Sequence, residues 1–155
     1  MIDIGDKVPD LTLADDAGNP VALSSLKGQV YVLYFYPKDD TPGCTKEACS
    51  FRDNIASLNK LDCKVFGVSR DDAASHVKFK QKFNLNFPLL SDLDGKLCEA
   101  FDVWKLRSMY GKEFMGIERS TFVVDKDGKV AKSWRKVNVD GHVEEVIAEV
   151  ERLSA

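Results

Sequence analysis

The segment Pro37-Lys38-Asp39-Asp40-Thr41-Pro42-Gly43-Cys44-Thr45-Lys46-Glu47-Ala48-Cys49 holds the residues best suited to chemistry. Thr41 and Pro42 suit an N-cap and a first helical position, and Gly43 allows close approach of the backbone. Cys44 then falls in the first helical turn. There, unpaired backbone N–H groups and the positive end of the helix dipole favour thiolate over thiol. Thr41 has two roles open to it: donating to the sulfur or a substrate oxygen, or capping the helix. Residues 38–53 carry three cations against four anions, so local charge alone does not stabilise an anion. Backbone donors and a cation from elsewhere must do so. Arg119, just before the strand at Thr121, is the candidate, although taken alone it reads as a solvated strand-edge charge.

Cys49 sets a geometric problem. On a regular helix it points about 140° away from Cys44, with Cα atoms about 8–9 Å apart. A disulfide needs about 4.4–6.8 Å, so a direct bond requires the first turns to unwind. Cys49 lies off the apolar stripe of Cys44, Ala48, Phe51, Ile55 and Leu58, which follows steps of 4, 3, 4 and 3. Opening it therefore disturbs little of the central apolar face. Cys63 precedes a buried strand and Cys98 lies between Leu97 and Phe101, so both read as packing. No CxxC pair begins a zinc site, and His76 and His142 read as surface or helix contacts rather than metal ligands.

The elements that must position Cys44 follow from periodicity. Val30-Tyr31-Val32-Leu33-Tyr34-Phe35-Tyr36 lacks polar alternation and fits a central strand covered on both faces, ended by Pro37. The helix after it leads to a strand at Val65-Phe66-Gly67-Val68-Ser69, a crossover in a mostly parallel core. Ahead of these, Leu11–Ala14 and Val21–Leu23 flank a turn and predict a hairpin. A helix capped by Asp71 or Asp72 runs toward Phe83 with Val77 and Phe83 inward. A buried segment follows at Phe87–Asp92, then a brief helix through Cys98. Residues 105–116 give mixed signals and are not placed. Thr121–Val124 and Val130–Trp134 predict a second hairpin, and Val143, Val146, Ile147, Val150 and Leu153 mark a terminal helix.

The 155 residues, 44% hydrophobic and 30% charged, suit one domain over 1–155 with a substantial core. A net charge of −3 gives no broad cationic surface, so neither nucleic acid nor membrane is an expected partner. No secretory signal or membrane-length apolar run is present, which predicts a soluble, cytoplasmic protein.

The spacing of Pro37, Thr41 and Cys44 follows the pattern PxxxTxxC, and Cys49 follows at a fixed interval. Together with Phe87–Asp92, Tyr110-Gly111-Lys112 and Gly116–Phe122, these residues make the chain resemble the bacterioferritin comigratory, or peroxiredoxin Q, group of thiol peroxidases. The resemblance covers nearly the whole chain. It implies an α/β, thioredoxin-like peroxiredoxin fold with a mixed central sheet, flanking helices and an N-terminal β-hairpin. It also implies that Cys44 is the peroxidatic nucleophile and Cys49 the resolving cysteine of the same chain. Pro37 would shield the pocket, Thr41 would orient thiolate and peroxide, and Arg119 would supply positive charge. Thr41, Gly43, Cys44 and Arg119 would bind the substrate. The implied substrates are hydrogen peroxide and organic hydroperoxides, with thioredoxin or a glutaredoxin-type donor as reductant, no cofactor or metal, and a monomeric state. A general thiol–disulfide oxidoreductase and a nonenzymatic redox sensor are the alternatives; rapid peroxide turnover separates both from a peroxidase.

Overall fold

A computed structural model describes residues 1–154. Strands β1 (Thr12–Asp15) and β2 (Pro20–Ala22) pair antiparallel as the expected hairpin. Its turn is built by Asp15, whose carboxylate accepts from the Ala17 and Asn19 N–H groups at 2.9 Å each. After a single 3₁₀ turn at Leu23–Leu26 comes β3 (Val30–Phe35), buried along its whole length. Its side chains alternate between two cores. Val30, Val32 and Tyr34 join one with Phe51, Leu58 and Val146, while Tyr31, Leu33 and Phe35 join the other with Leu97, Phe101 and Phe122. A strand with water on neither face has no polar positions, which is why its sequence shows none.

Helix α1 (Pro42–Lys60) leads from β3 to β4 (Cys63–Ser69), which pairs parallel to β3 with Val30 opposite Cys63 and Phe35 opposite Val68. Next come α2 (Ala73–Phe83), β5 (Leu89–Ser91) and the short α3 (Lys96–Ala100). Asp72 caps α2 by accepting from the Ser75 N–H at 2.9 Å. Strands β6 (Trp104–Met109) and β7 (Lys112–Ile117) form a separate two-stranded ribbon. Strands β8 (Ser120–Val124) and β9 (Val130–Arg135) form the second hairpin, followed by α4 (His142–Ser154). The main sheet runs β2-β1-β5-β4-β3-β8-β9, parallel through β3, β4 and β5 and antiparallel outward on both sides. This is the mixed α/β architecture the resemblance implies. No helix among the described residues is long and apolar enough to cross a membrane.

Three expectations need correction. Val77 is exposed on α2, whose inward positions are His76 and Phe79 with Phe83 partly buried. His76 and His142 are both buried rather than at the surface. Residues 105–116, unplaced in sequence, are the β6–β7 ribbon, whose apolar side chains Leu106, Met109, Phe114 and Met115 are largely exposed.

Candidate active site

The strand topology brings the predicted residues together at one edge of the sheet. Strand β3 delivers the chain to residues 36–41 and the start of α1. Ser120, the first residue of antiparallel β8, lies opposite Phe35, the last of β3. Arg119 therefore emerges at the same edge as the first turn of α1, although 75 positions separate it from Cys44. The ends of parallel strands in an open α/β sheet are the usual place for a site.

Cys44 is 2% exposed, and its Sγ accepts from Arg119 Nη2 at 3.3 Å. The arginine is thus a partly buried partner of the sulfur and not a solvated strand-edge charge. Gly43 makes the approach possible, since a Cβ there would lie 3.1 Å from Arg119 Nη2. The first backbone bond of the helix runs from the Thr45 N–H to the Thr41 carbonyl at 2.8 Å. The Gly43 and Cys44 N–H groups precede the helical ladder, where they can serve an anion. Thr41 occupies the N-cap position but makes no side-chain cap. Its hydroxyl donates instead to the Lys38 carbonyl at 2.9 Å, which decides against capping in this state.

Glu47 is the residue that sequence reasoning missed. It is fully buried one turn from Cys44, and its Oε1 accepts from Arg119 Nη1 at 2.7 Å. One guanidinium therefore bridges the Glu47 carboxyl and the Cys44 sulfur. Burial pushes the Glu47 carboxyl up to about 7 from an ordinary 4.5, with the charge and hydrogen bond of Arg119 opposing the rise. Burial would lower Arg119, but Glu47 and Cys44 outweigh it and hold the guanidinium charged. The signal for Glu47 was available: it is an acid on the apolar face of α1, three residues after Cys44 and four before Phe51.

A cavity of about 520 Å³ opens beside Cys44. Pro37, Thr41, Gly43 and Arg119 line it on the α1 side, and Trp104, Met109, Phe114 and Met115 from the ribbon line the other. All the predicted site residues except Cys49 border this cavity. Cys49 lies partly buried in the helical second turn, and no disulfide joins it to Cys44. Cys63 and Cys98 are fully buried, as their sequence setting implied. Burial, followed by Asp62, raises Cys63 to about 12; burial and then Asp92 raise Cys98 further. Both are held as thiols at neutral pH. His142 approaches the Thr121 hydroxyl through Nε2 at 2.8 Å, and burial lowers its affinity for a second proton.

A cysteine in the first turn of a helix, bonded to an arginine at the carboxyl edge of a thioredoxin-like sheet, defines a thiol-dependent redox site. Comparison with known proteins gives its lineage. The AhpC/TSA family matches residues 4–133, and the chain belongs to it. Peroxiredoxin Bcp of Bacillus subtilis is 56% identical over 99% of this chain and 98% of its own length. Peroxiredoxin Bcp of Escherichia coli K12 is 41% identical over 92% of each chain. Among solved structures, a peroxiredoxin Q mutant of Xylella fastidiosa superposes with a TM-score of 0.94 at 38% identity, covering 100% of this chain and 99% of its own. The Xanthomonas campestris bacterioferritin comigratory protein, from work on its alkyl peroxide reduction activity, gives 0.91 at 42% identity over 100% and 99%.

Proposed function

We propose that this chain is a single-domain thiol peroxidase in which Cys44 attacks the peroxide and Cys49 resolves the product. The observation that carries the assignment is the 3.3 Å contact from Arg119 to a cysteine at a helix amino end, open to a cavity. The names of its relatives and the alkyl peroxide chemistry of the Xanthomonas protein agree with it.

Thiolate attack on the terminal peroxide oxygen breaks the O–O bond. Cys44 becomes a sulfenic acid, and the departing alkoxide or hydroxide takes a proton to leave as alcohol or water. Charge moves from sulfur to that oxygen during attack. Arg119 Nη2, the Gly43 and Cys44 N–H groups and the Thr41 hydroxyl are the donors placed to follow it. Thr41 can do so by turning its hydroxyl from the Lys38 carbonyl toward the cavity. Pro37 and the ribbon residues restrict water, and the ribbon's apolar wall suits the organic part of an alkyl hydroperoxide. The Cys49 thiol then condenses with the sulfenic acid, forming the disulfide and releasing water before further oxidation of Cys44. A thioredoxin or glutaredoxin-type dithiol reduces that disulfide by exchange and is itself oxidised. Both cysteines belong to one chain, so the cycle runs in a monomer; we assign it to the reducing cytoplasm.

Replacement of the two sulfurs tests this. Cys44→Ser should abolish rapid peroxide consumption. Cys49→Ser should consume one equivalent and then stop under thioredoxin, accumulating sulfenic or overoxidised Cys44. Near-normal turnover by Cys44→Ser overturns the nucleophile assignment, and sustained turnover by Cys49→Ser overturns the resolver.

A further inference from the structure

The segment between β3 and α1 carries Pro37 and Thr41 into the site, and the sheet holds only its first residue, through the Tyr36 N–H donating to the Val68 carbonyl at 3.1 Å. Among the described residues, no main-chain N–H from position 37 to 44 donates to another main-chain carbonyl. Besides the exposed Lys82–Asp40 ion pair at 2.9 Å, its fastening centres on Asp39, whose carboxylate is 3% exposed. Asp39 Oδ1 accepts from the Tyr36 hydroxyl at 2.5 Å, and Oδ2 accepts from the Ser75 hydroxyl at 2.8 Å and from His76 Nδ1 at 2.7 Å. The Asp39 N–H donates to Asp71 Oδ2 at 2.8 Å, and the same oxygen takes the Ser69 hydroxyl at 2.7 Å.

His76 joins this cluster to the sheet. It is fully buried, and its Nε2 faces the Leu90 carbonyl at 3.2 Å. The buried Asp39–His76 contact thus ties residue 39 to α2 and, through the Leu90 carbonyl, to β5. Removing one member leaves polar atoms of the other buried without their partner. The peroxidase reaction as assigned above uses neither residue.

We propose that the Asp39–His76 pair positions the peroxidatic turn: it holds the upstream end of that turn still, so that the site is preformed for attack and only the downstream end, toward Cys49, opens for disulfide formation. The inference rests on the peroxidase reading. Thr41, Gly43 and Cys44 lie two, four and five residues beyond the anchor, and any slack at residue 39 is transmitted directly to Thr41 and the helix amino end.

The test separates two rate constants by stopped-flow tryptophan fluorescence with hydrogen peroxide, since Trp104 lines the cavity. Asp39→Ala should slow sulfenic acid formation about tenfold or more, while the later step to the disulfide holds its rate or quickens. Asp39→Asn keeps a group able to bond Tyr36, Ser75 and His76, and should recover most of the first rate. A folded Asp39→Ala protein with an unchanged first step overturns the proposal, as does an equal slowing of both steps. If Asp39→Ala does not fold, Tyr36→Phe carries the test with the same split. It keeps the ring stacked on Tyr34, at 5.5 Å between centroids, and removes one donor only; an unchanged first step there also overturns the proposal. Cys44→Ser is run alongside. Peroxide consumption that persists without Cys44 indicts the peroxidase reading, whereas Cys44-dependent consumption insensitive to Asp39 indicts the anchor alone.

Discussion

Arg119 divides its guanidinium between Glu47 Oε1 at 2.7 Å and Cys44 Sγ at 3.3 Å. A planar fork can serve both at once; an ammonium is a single point that must choose. Arg119→Lys should therefore slow the reaction of Cys44 with peroxide by about 100-fold, the usual scale for losing one transition-state donor. Stopped-flow kinetics under single-turnover conditions measure it, and an unchanged rate would refute the geometric role. Glu47 makes a separate prediction through pH. Its folded-state affinity for a proton, at about 7, exceeds that of an ordinary glutamate at 4.5. The folded protein thus binds more protons than the unfolded chain between those values. The contribution to stability is full below the unfolded value and is lost as pH rises through about 7. Glu47→Gln, which still offers Arg119 an acceptor, should flatten the fall in melting temperature between pH 5 and 8. A slope identical to that of the parent protein would contradict the buried position and raised proton affinity assigned to Glu47.

Helix α1 has to be firm enough to present its amino end and loose enough to open. The intact helix separates the two cysteine Cα atoms by about 8–9 Å, beyond the reach of a disulfide. Fixed points mark where opening should stop. Arg52 Nη1 donates to the Phe83 carbonyl at 2.6 Å, Asn86 Nδ2 donates to the Arg52 carbonyl at 3.3 Å, and Phe51 and Leu58 are fully buried. Amides of residues 45–49 should lose hydrogen-exchange protection on oxidation while those of 55–60 keep theirs. Protection retained at 45–49 in the disulfide form would contradict unwinding.

At this same scale the sequence was legible wherever burial imposed a period. The apolar stripe of α1, the continuous apolar run of β3 and the Asp125–Lys129 turn between β8 and β9 each announced their element. The β6–β7 ribbon did not, because neither of its faces is sealed in a core and its alternation carries no consistent polarity. Glu47 and His76 are polar residues on buried helix faces that meet partners far along the chain, and only their place within the apolar face, not their residue type, betrays them.

For the whole molecule, the sheet separates its thiols. Cys44 belongs to the core packed by α1, α2 and α4, whereas Cys98 belongs to the core on the other face. Cys63 shares the face of Cys44 but sits opposite Val30, at the start of β3 and away from the edge that bears Cys44. Neither placement gives a second resolver, and burial holds both groups as thiols. Cys98→Ser should keep thioredoxin-driven turnover unchanged, as steady-state peroxide consumption would show. A loss matching that of Cys49→Ser would mean that the chain rearranges across the sheet.

Peptide mass spectrometry after one equivalent of hydrogen peroxide, added to the fully reduced protein and quenched by alkylation, asks directly which sulfurs carry the reaction. Cys44 and Cys49 should appear joined in one disulfide-linked species, with Cys63 and Cys98 recovered as alkylated thiols. Peroxide consumed stoichiometrically while Cys44 and Cys49 are both recovered as alkylated thiols would contradict the account at its centre.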